Sequence, residues 1–276
     1  GISGGQRRDY ITDIALDENN NIYLVGYTDT QAIDANDIWI IQSNNDGDLK
    51  EKRKISSPNG DEDLTQIRWV SNSTFMFVGV NQTTDNMIYG TFSYDGSNIN
   101  VDFVKQVPAL GGYARNPRFT IDEYNDVFFL YDVFNNANGK FERIQLGKIP
   151  LADTNATYTN NQGATLPKPW LFRKSLTPQG NYVSIKNTGL HIDVFGDVVI
   201  TAAIDYDEDR KTNIVSSLKY DGTVKAESLI ETTDSVGQVG KTSTVDNSGD
   251  IITIAERLIP NQLAVYRFDD SADLDY

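Results

Sequence analysis

Residue types that carry much enzymatic chemistry are scarce in this sequence of 276 residues. It has no cysteine and only one histidine, His191. The absence of cysteine excludes disulfides, zinc–thiolate sites and thiol catalysis. With a single histidine, a Ser-His triad or a multi-histidine metal site can use only His191. No apolar run approaches the roughly 18 residues needed to span a bilayer, so we expect no membrane insertion.

Basic residues are also few relative to acidic ones. The chain has 24 Lys and Arg against 39 Asp and Glu, which gives a net charge of −15. Such a surface repels phosphate backbones and anionic lipids, so nucleic acid and membrane surfaces are not expected as partners. An acidic surface is compatible with cationic partners or divalent metals. The chain begins at Gly1 without Met and has no apolar signal region, so we expect a longer natural product, either processed or cut from a larger polypeptide.

What is present is a repeat of about fifty residues. Five segments align without internal gaps, and their starts lie 53, 52, 71 and 53 residues apart. In each, a short alternating strand meets a polar turn, and a β-rich run follows, which indicates a hairpin. The segments are IALDENNNIYLVGYT (14–28), IRWVSNSTFMFVGVN (67–81), FTIDEYNDVFFLYDV (119–133), LHIDVFGDVVITAAI (190–204) and STVDNSGDIITIAER (243–257).

A second hairpin follows each first one. Its tip is Asp46-Gly47, Asp95-Gly96 or Asp221-Gly222 in three of the repeats. Asp-Gly favours tight hairpins because glycine takes a positive φ without steric cost. Each repeat therefore predicts four antiparallel strands, which is a propeller blade. The sequence predicts an all-β fold, a single five-bladed β-propeller domain over 1–276, with blades at about 9–56, 61–107, 114–176, 185–231 and 238–276 plus 1–4.

The N-terminus predicts how the ring closes. Gly1-Ile2-Ser3 precedes Lys54-Ile55-Ser56, the end of a fourth strand, by 53 residues. Residues 1–4 are therefore expected to complete the last blade, which removes an open sheet edge. A larger ring, with Ile2 ending a truncated extra blade, is the alternative. A solenoid is less favoured, since no helix or capping segment is evident.

The 71-residue spacing indicates an insertion at 147–168, between the third and fourth strands of the third repeat. The segment is rich in Asn, Thr and Gly and lacks a strong apolar alternation. It is too short for a blade, so we expect a loop. Such an addition could be a partner contact or a tolerated surface insertion.

The first repeat carries a recognisable pattern: Gly4-Gly5, Asp9, Ile14, DENNNIYLVGYT (17–28), DIWII (37–41), Asp46-Gly47 and Leu49. It resembles the β-propeller repeats of bacterial and phage proteins. Repeats two to five keep the hydrophobic pattern and the turns but lose Gly-Tyr-Thr. The resemblance implies a propeller of a secreted, cell-surface or virion protein, and it implies a fold rather than an activity.

Two acidic patterns raise the question of calcium. Asp205, Asp207 and Asp209 alternate in one loop and could converge on Ca²⁺, although the glycine and distant glutamate of an EF-hand loop are missing. Asp17, Asn19 and Asn21 alternate in the first turn, where Asx residues are expected for turn formation alone. No other cofactor is expected.

Catalysis is not expected from the residues available. His191 has no evident partner nucleophile or acid in the sequence. Five-bladed propellers include glycosidases with paired carboxylates, but Asp13 is the only well-placed acid. The equivalent first strands offer Arg68 and Arg118, and the tryptophan–asparagine–aspartate–proline signature of one such family is absent.

We therefore expect a non-catalytic binding, adhesion or structural module, extracellular, on a cell surface or in a virion. A phage tail or assembly component without a small ligand is the alternative, and a glycosidase is less favoured. Trp39, Phe77, Phe129 and Phe172 lie in strand runs and are expected in the core. A protein or carbohydrate ligand is expected on a loop face, with Tyr113, Arg115 and Tyr182 as candidate contacts. That face comprises loops 56–64, 108–116, 177–189 and 232–241 with 28–37, 81–86, 133–140 and 205–212.

Overall fold

A computed structural model describes residues 8–29, 37–55, 62–71, 73–109, 111–159, 165–167, 172–177, 181–206, 211–219, 221–230, 238–257, 262–269 and 274–275. The chain divides into two compact units, 1–118 and 119–276. The division falls within one strand of the third sheet. The prediction of a single domain over 1–276 stays a prediction.

The regular structure of the described residues is almost entirely antiparallel sheet, in five four-stranded sheets and one two-stranded sheet. The predicted all-β fold and the four-stranded repeats are confirmed. The first sheet has the order β1 (Arg8–Leu16), β2 (Ile22–Asp29), β3 (Asp37–Ser43) and β4 (Leu49–Ile55). The second has the order β5 (Glu62–Ser71), β6 (Thr74–Asn81), β7 (Asn86–Tyr94) and β8 (Ile99–Val107).

The third sheet contains the insertion, which the sequence placed at 147–168. Its strands are β9 (Tyr113–Ile121), β10 (Asp126–Asn135), β11 (Lys140–Pro150) and β14 (Phe172–Leu176), in the order β14-β11-β10-β9. A 3-10 helix follows at Leu151–Asp153, and then a small hairpin of β12 (Thr157–Thr159) and β13 (Thr165–Pro167). The insertion is thus not a blade, but it is not all loop. Its first residues prolong β11 because they pair with β10 as far as Asp126.

The last two sheets are regular meanders. The fourth contains β15 (Ser184–Ile192), β16 (Val198–Asp205), β17 (Lys211–Leu218) and β18 (Val224–Ile230). The fifth contains β19 (Gln238–Val245), β20 (Ile251–Arg257), β21 (Gln262–Phe268) and the short β22 (Leu274–Asp275). Residues 1–4, which the sequence assigns to this last blade, lie outside the described residues.

Turn chemistry explains the hairpins. Gly47, Gly96 and Gly222 have positive φ angles of 85°, 92° and 80° at the predicted Asp-Gly tips, which confirms the interpretation of those tips. The first hairpin of each repeat also has one residue in the left-handed region. This residue is an asparagine in two of them, Asn20 and Asn125, because asparagine tolerates that conformation better than most residues.

The first strand of four sheets contains a β-bulge, which brings it close to the second strand. Where the bulge begins, β1 and β5 face Gly26 and Gly79, 53 residues apart. An ideal Cβ on Gly79 would lie 2.3 Å from the carbonyl oxygen of Asp63. The corresponding positions facing the bulges of β15 and β19 are Ala202 and Ala255, both fully buried. Four of the five repeats therefore have a small residue at this point, and the third has Tyr131.

Each unit has its own core between sheets. In the first unit, Tyr23 packs on Phe75 with ring centroids 4.0 Å apart, and Phe75 stacks on Phe92 at 5.1 Å. In the second unit, the core between the third and fourth sheets is mainly aliphatic and includes Leu130, Ile144 and Ile200. The expected core positions Phe77 and Phe129 are fully buried. Trp39 is half-buried under Lys52, whose Nζ lies 3.8 Å from the ring centroid, and the side chain of Phe172 lies outside the described residues.

The second strands of the second, third and fourth sheets are more buried than those of the first and fifth sheets. β6 and β10 are buried on both faces over most of their length, and β16 is buried except at two residues. In β2 and β20 buried residues alternate with half-buried ones over most of the strand. Ile14 and Leu16 on the first sheet, and Leu263 and Val265 on the fifth, are exposed. The first and fifth sheets therefore each keep an apolar face that is not buried.

Candidate functional site

The repeated turn aspartates serve their own turns. Asp17 Oδ1 accepts hydrogen bonds from the backbone N–H groups of Asn19 and Asn21, both at 2.9 Å. Asp122, Asp193 and Asp246 accept from the residues two and four positions ahead in the same way. Burial raises the pKa of Asp193 despite these hydrogen bonds. The alternating pattern at 17–21 is thus explained by turn formation.

In three of these turns, a basic side chain forms an ion pair with the aspartate at the end of the turn. Lys148 Nζ lies 2.8 Å from Asp126 Oδ2, and Lys225 Nζ lies 2.7 Å from Asp197 Oδ2. Arg267 bonds Asp250 at the equivalent position of the fifth sheet. These carboxylates are engaged in repeated structural pairs. Among the described residues, no group of three acidic or histidine side chains is placed to hold a metal ion.

The proposed calcium residues lie mostly outside the described residues, which include Asp205 but not Asp207 or Asp209. Asp205 Oδ2 accepts a hydrogen bond of 2.9 Å from Ser184 Oγ, at the end of β16. Its backbone carbonyl accepts from Val183 N at 2.6 Å. Asp205 thus fixes the start of β15, and calcium binding by this loop stays a prediction.

His191 has a partner that the sequence did not reveal. Its Nε2 lies 3.0 Å from Ser243 Oγ, which lies 2.7 Å from Thr201 Oγ1. An ideal Cβ on Gly189 would lie 1.9 Å from Ser243 Oγ. Ser243 is buried, with 7% of its surface exposed. The cluster joins β15 and β16 to β19 and is structural.

The glycosidase candidate Asp13 is also engaged. Its Oδ2 accepts hydrogen bonds from the backbone N–H of Ile67 at 2.9 Å and from Arg68 Nη1 at 3.1 Å. Both donors belong to β5, so the carboxylate joins the first strands of two neighbouring sheets. The Asp13 carboxylate is therefore held in an ion pair with Arg68.

The candidate ligand residues fall into two places. Tyr113 and Arg115 stand together on β9 in the first unit, with the Arg115 guanidinium 5.8 Å from the Tyr113 ring centroid. Arg115 Nη2 lies 2.6 Å from Asp85 Oδ1, and Ala114 N donates to the carbonyl of Asp85. Arg115 thus forms an ion pair with Asp85 in the turn between β6 and β7. Tyr182 belongs to the second unit.

Tyr182 lines an open pocket of about 430 Å³. Its hydroxyl donates to the backbone carbonyl of Glu142, and its ring packs on the aliphatic core. Burial, together with the negative charge of Glu142, raises the pKa of Tyr182. The other lining residues are Asn138, Lys140, Glu142, Arg143, Thr177 and Val183.

The pocket has a small positive bias, because Lys140 and Arg143 line it against one acid, Glu142, whose Oε2 lies 3.7 Å from Arg143 Nη1. Glu142 Oε1 accepts hydrogen bonds from Asn135 Nδ2 at 2.7 Å and from Asn138 Nδ2 at 2.8 Å, and these bonds lower the pKa of Glu142. Lys140 is exposed at the rim. Lys186 stands nearby, with its Nζ 4.5 Å from the ring centroid of Phe141. The pocket can therefore offer cations and amide donors to an anionic, hydrogen-bonding ligand.

Sequence reasoning found Tyr182 but missed Asn138, Lys140, Glu142 and Arg143. Loops 133–140 and 177–189 were both expected on the ligand face, and the pocket lies where the described parts of these loops meet. The charges could not be assigned from the sequence because no motif connects residue 140 to residue 182. Packing of β11 against β15, with the hydrogen bond from the Tyr182 hydroxyl to the carbonyl of Glu142, places them together.

Comparison with known proteins identifies the repeat. Residues 2–31 match the family model described as a β-propeller repeat. The chain carries a β-propeller repeat. The match covers β1 and β2, with the DENNNIYLVGYT segment, and it confirms the resemblance drawn from that segment. No curated protein matches the β-propeller repeat chain.

Solved structures share the fold at low sequence identity. Puromycin hydrolase is 12% identical with a TM-score of 0.56, and the match covers 95% of this chain and 38% of that one. A Lactobacillus plantarum protein is 12% identical with a TM-score of 0.54, over 96% of this chain and 69% of that one. An exo-β-1,3-galactanase from Phanerochaete chrysosporium is 9% identical with a TM-score of 0.51, over 97% and 62%.

These likenesses show the fold alone. The β-propeller repeat chain spans about two-fifths of the length of puromycin hydrolase. In the part of the chain that the structure describes, no helix has the length and apolar character to cross a membrane.

Proposed function

We propose that this chain is a non-catalytic binding module of a secreted, cell-surface or virion protein, and that it binds an anionic carbohydrate in the Tyr182 pocket. The observation that carries the proposal is the charge of that pocket. Two cations, Lys140 and Arg143, and one acid, Glu142, line a space of about 430 Å³ in a chain whose net charge is −15. Cations gathered in one pocket of an acidic protein favour a ligand that carries a carboxylate or sulfate.

The polar groups beside the charged side chains favour an anionic saccharide over other anionic ligands. Thr177 offers a hydroxyl at the same pocket, Asn138 Nδ2 has a second N–H beyond the one that it donates to Glu142, and the half-buried ring of Tyr182 offers an apolar surface. A sugar presents hydroxyl groups on its edge and C–H groups on its faces, so such a mixture matches it. A few placed polar groups around an aromatic wall are typical of ligand sites.

Replacing Tyr182 by alanine is expected to weaken binding of a carboxylated glycan at least tenfold, because the ring wall of the pocket is lost. Arg143→Gln should also weaken binding and should reduce its dependence on salt. Binding is measured by isothermal titration with D-glucuronate and D-galacturonate, after a glycan array has compared carboxylated, sulfated and neutral sugars.

Tyr124→Ala is the matched control, because Tyr124 is an exposed tyrosine at a turn tip of the same unit, 70% exposed. It should leave binding unchanged. Equal binding of neutral and anionic sugars, or equal loss in both tyrosine variants, would contradict the proposal. An array with no positive glycan would favour the alternative of an assembly component whose partner is a protein.

The proposal that the chain is not an enzyme leads to a separate prediction. Asp13→Asn should leave the protein without measurable change in any glycoside assay, since we expect no turnover before or after the substitution. The reason is that Asp13 is engaged by Ile67 N and Arg68, and hydrolysis of a glycoside needs a second placed carboxyl group. Turnover of chromogenic arabinosides, xylosides or galactosides that Asp13→Asn abolished would refute it.

We further propose that the five sheets form one ring closed by residues 1–4. The unburied apolar faces of the first and fifth sheets support it, since each inner sheet buries both faces of its second strand. Exposed apolar faces of this kind are usually covered by a neighbour. Further blades in a longer chain, or other subunits of an assembly, are the alternatives.

Deleting residues 1–7 tests the closure and leaves β1 intact. Loss of a strand that closes the ring should cost about 2 kcal/mol and lower the melting temperature by roughly 4–8 °C. The measurement is thermal unfolding followed by circular dichroism. An unchanged melting temperature would show that Ile2 belongs elsewhere, and size-exclusion chromatography would reveal whether copies cover the apolar faces instead.

A further inference from the structure

A second space, with aliphatic walls and polar side chains at its edge, opens between the third and fourth sheets of the second unit. Its volume is about 220 Å³. Five buried aliphatic side chains form its walls, each no more than 7% exposed: Ile144, Ile185, Ile200, Ala202 and Ile214. Val224 lies at its rim and is 46% exposed. We call this space the aliphatic cleft.

The polar groups at the edge of the aliphatic cleft are bonded to the protein. Ser216 Oγ donates to Glu227 Oε2 at 3.1 Å, and Ser175 Oγ donates to Gln145 Oε1 at 3.1 Å. Glu227 is exposed, so its carboxylate stays in contact with water at the edge of the cleft. Protein interiors are close-packed, and empty apolar volume is destabilising. An apolar cavity of about 150 Å³ suffices for benzene, so the cleft is large enough for a ring of that size.

The cleft adjoins the Tyr182 pocket. Thr177 lines both spaces. Tyr182 packs against the aliphatic cluster that includes Ile144, Ile185 and Ile200, which are also walls of the cleft. A polar, positively biased pocket and an apolar cleft thus lie side by side, separated by one threonine and one tyrosine.

We propose that the aliphatic cleft binds an apolar substituent of the anionic saccharide, so that the ligand is an aryl or short branched-acyl conjugate of an acidic sugar. This inference rests on the proposed function of the Tyr182 pocket. The acidic sugar lies against Arg143 and Tyr182, and the substituent passes Thr177 into the cleft. Its apolar part has on the order of six to ten carbon atoms, judged from the size of cavity that holds benzene.

The test compares three probes by isothermal titration: D-glucuronate, p-nitrophenyl β-D-glucuronide and p-nitrophenyl β-D-glucoside. The glucuronide should bind at least tenfold more tightly than glucuronate, because its ring enters the cleft. Val224→Phe should narrow the cleft and reduce this gain to less than twofold, while glucuronate binding stays the same. Leu229→Phe is the control, since Leu229 is on the same strand, 41% exposed, and does not line the cleft.

The outcomes separate the two proposals. If glucuronate binds and the glucuronide binds no more tightly, the cleft proposal is overturned and the proposed function stands. If both p-nitrophenyl glycosides bind through the cleft, with Val224→Phe weakening them and Tyr182→Ala and Arg143→Gln having no effect, the anionic-sugar function is overturned. Failure of all three probes to bind overturns both.

Discussion

Gly79→Ala is expected to destabilise the protein by about 3 kcal/mol, near the upper end for overpacking of a core. The new methyl group would lie 2.3 Å from the carbonyl oxygen of Asp63 and 3.0 Å from the Cα atom of Leu64. Both atoms belong to the backbone at the bulge of β5, so no side chain can move aside. The melting temperature should fall by roughly 6–12 °C, measured by thermal unfolding and by urea titration.

Gly96→Ala provides the control. Gly96 has a φ of +92°, and an ideal Cβ there would meet nothing within 4 Å. It should cost about 1 kcal/mol, from local strain alone. Gly26→Ala, in the same position of the first repeat, should behave like Gly79→Ala because its Cβ would meet the carbonyl of Tyr10. Equal stability of Gly79→Ala and Gly96→Ala would contradict the close approach of β6 to the bulge of β5.

Asp132→Ala should cause a comparable loss, again about 3 kcal/mol, for a different reason. Asp132 is fully buried on β10, and its Oδ1 accepts hydrogen bonds from Asn187 N and Asn187 Nδ2, both at 2.7 Å. Alanine would leave two buried donors without this acceptor at the bulge of β15. The free energy of unfolding, from urea titration, checks the prediction.

Asp132→Asn keeps an acceptor oxygen and should recover part of the lost stability. Asp13→Ala is a second comparison, because Asp13 also joins two sheets through a backbone N–H but its side chain is 24% exposed. Water can replace its hydrogen bonds, so we expect a cost of about 1 kcal/mol. Equal losses in Asp13→Ala and Asp132→Ala would show that burial does not decide the strength of these links.

The strand pattern could be read from the sequence because it depends on local chemistry. Alternating apolar residues, Asx turns and the tips Asp46-Gly47 and Asp95-Gly96 each act over a few residues and recur in every repeat or most of them. The resemblance to propeller repeats rested on the same residues. Prolongation of β11 into the insertion was missed, because Gly147 and Pro150 discourage a strand locally and only pairing with β10 holds them in one.

The candidate site was only partly foreseen. Tyr182 was found from its place before a first strand, but the cations of its pocket come from a hairpin about forty residues earlier. The partner of His191 was missed for a related reason, because Ser243 lies 52 residues away in the next repeat. The pairs Asp13–Ile67 and Asp132–Asn187 are likewise 54 and 55 residues apart, so these contacts follow the repeat length, but the repeat length alone does not show which side chains meet.

The sequence by itself thus determined an acidic all-β chain of five four-stranded repeats, without the residues for thiol or multi-histidine chemistry. Apolar periodicity and turn preference depend on residues close together in the chain, so they can be recognised from the sequence alone. The tertiary structure alone decided which carboxylates are free and which are engaged: Asp13 and Asp132 are held by a neighbouring sheet, and Glu142 is held by two asparagines of its own hairpin. It also placed an aliphatic cleft beside a cationic pocket, because packing between sheets brings together residues that lie far apart in the chain.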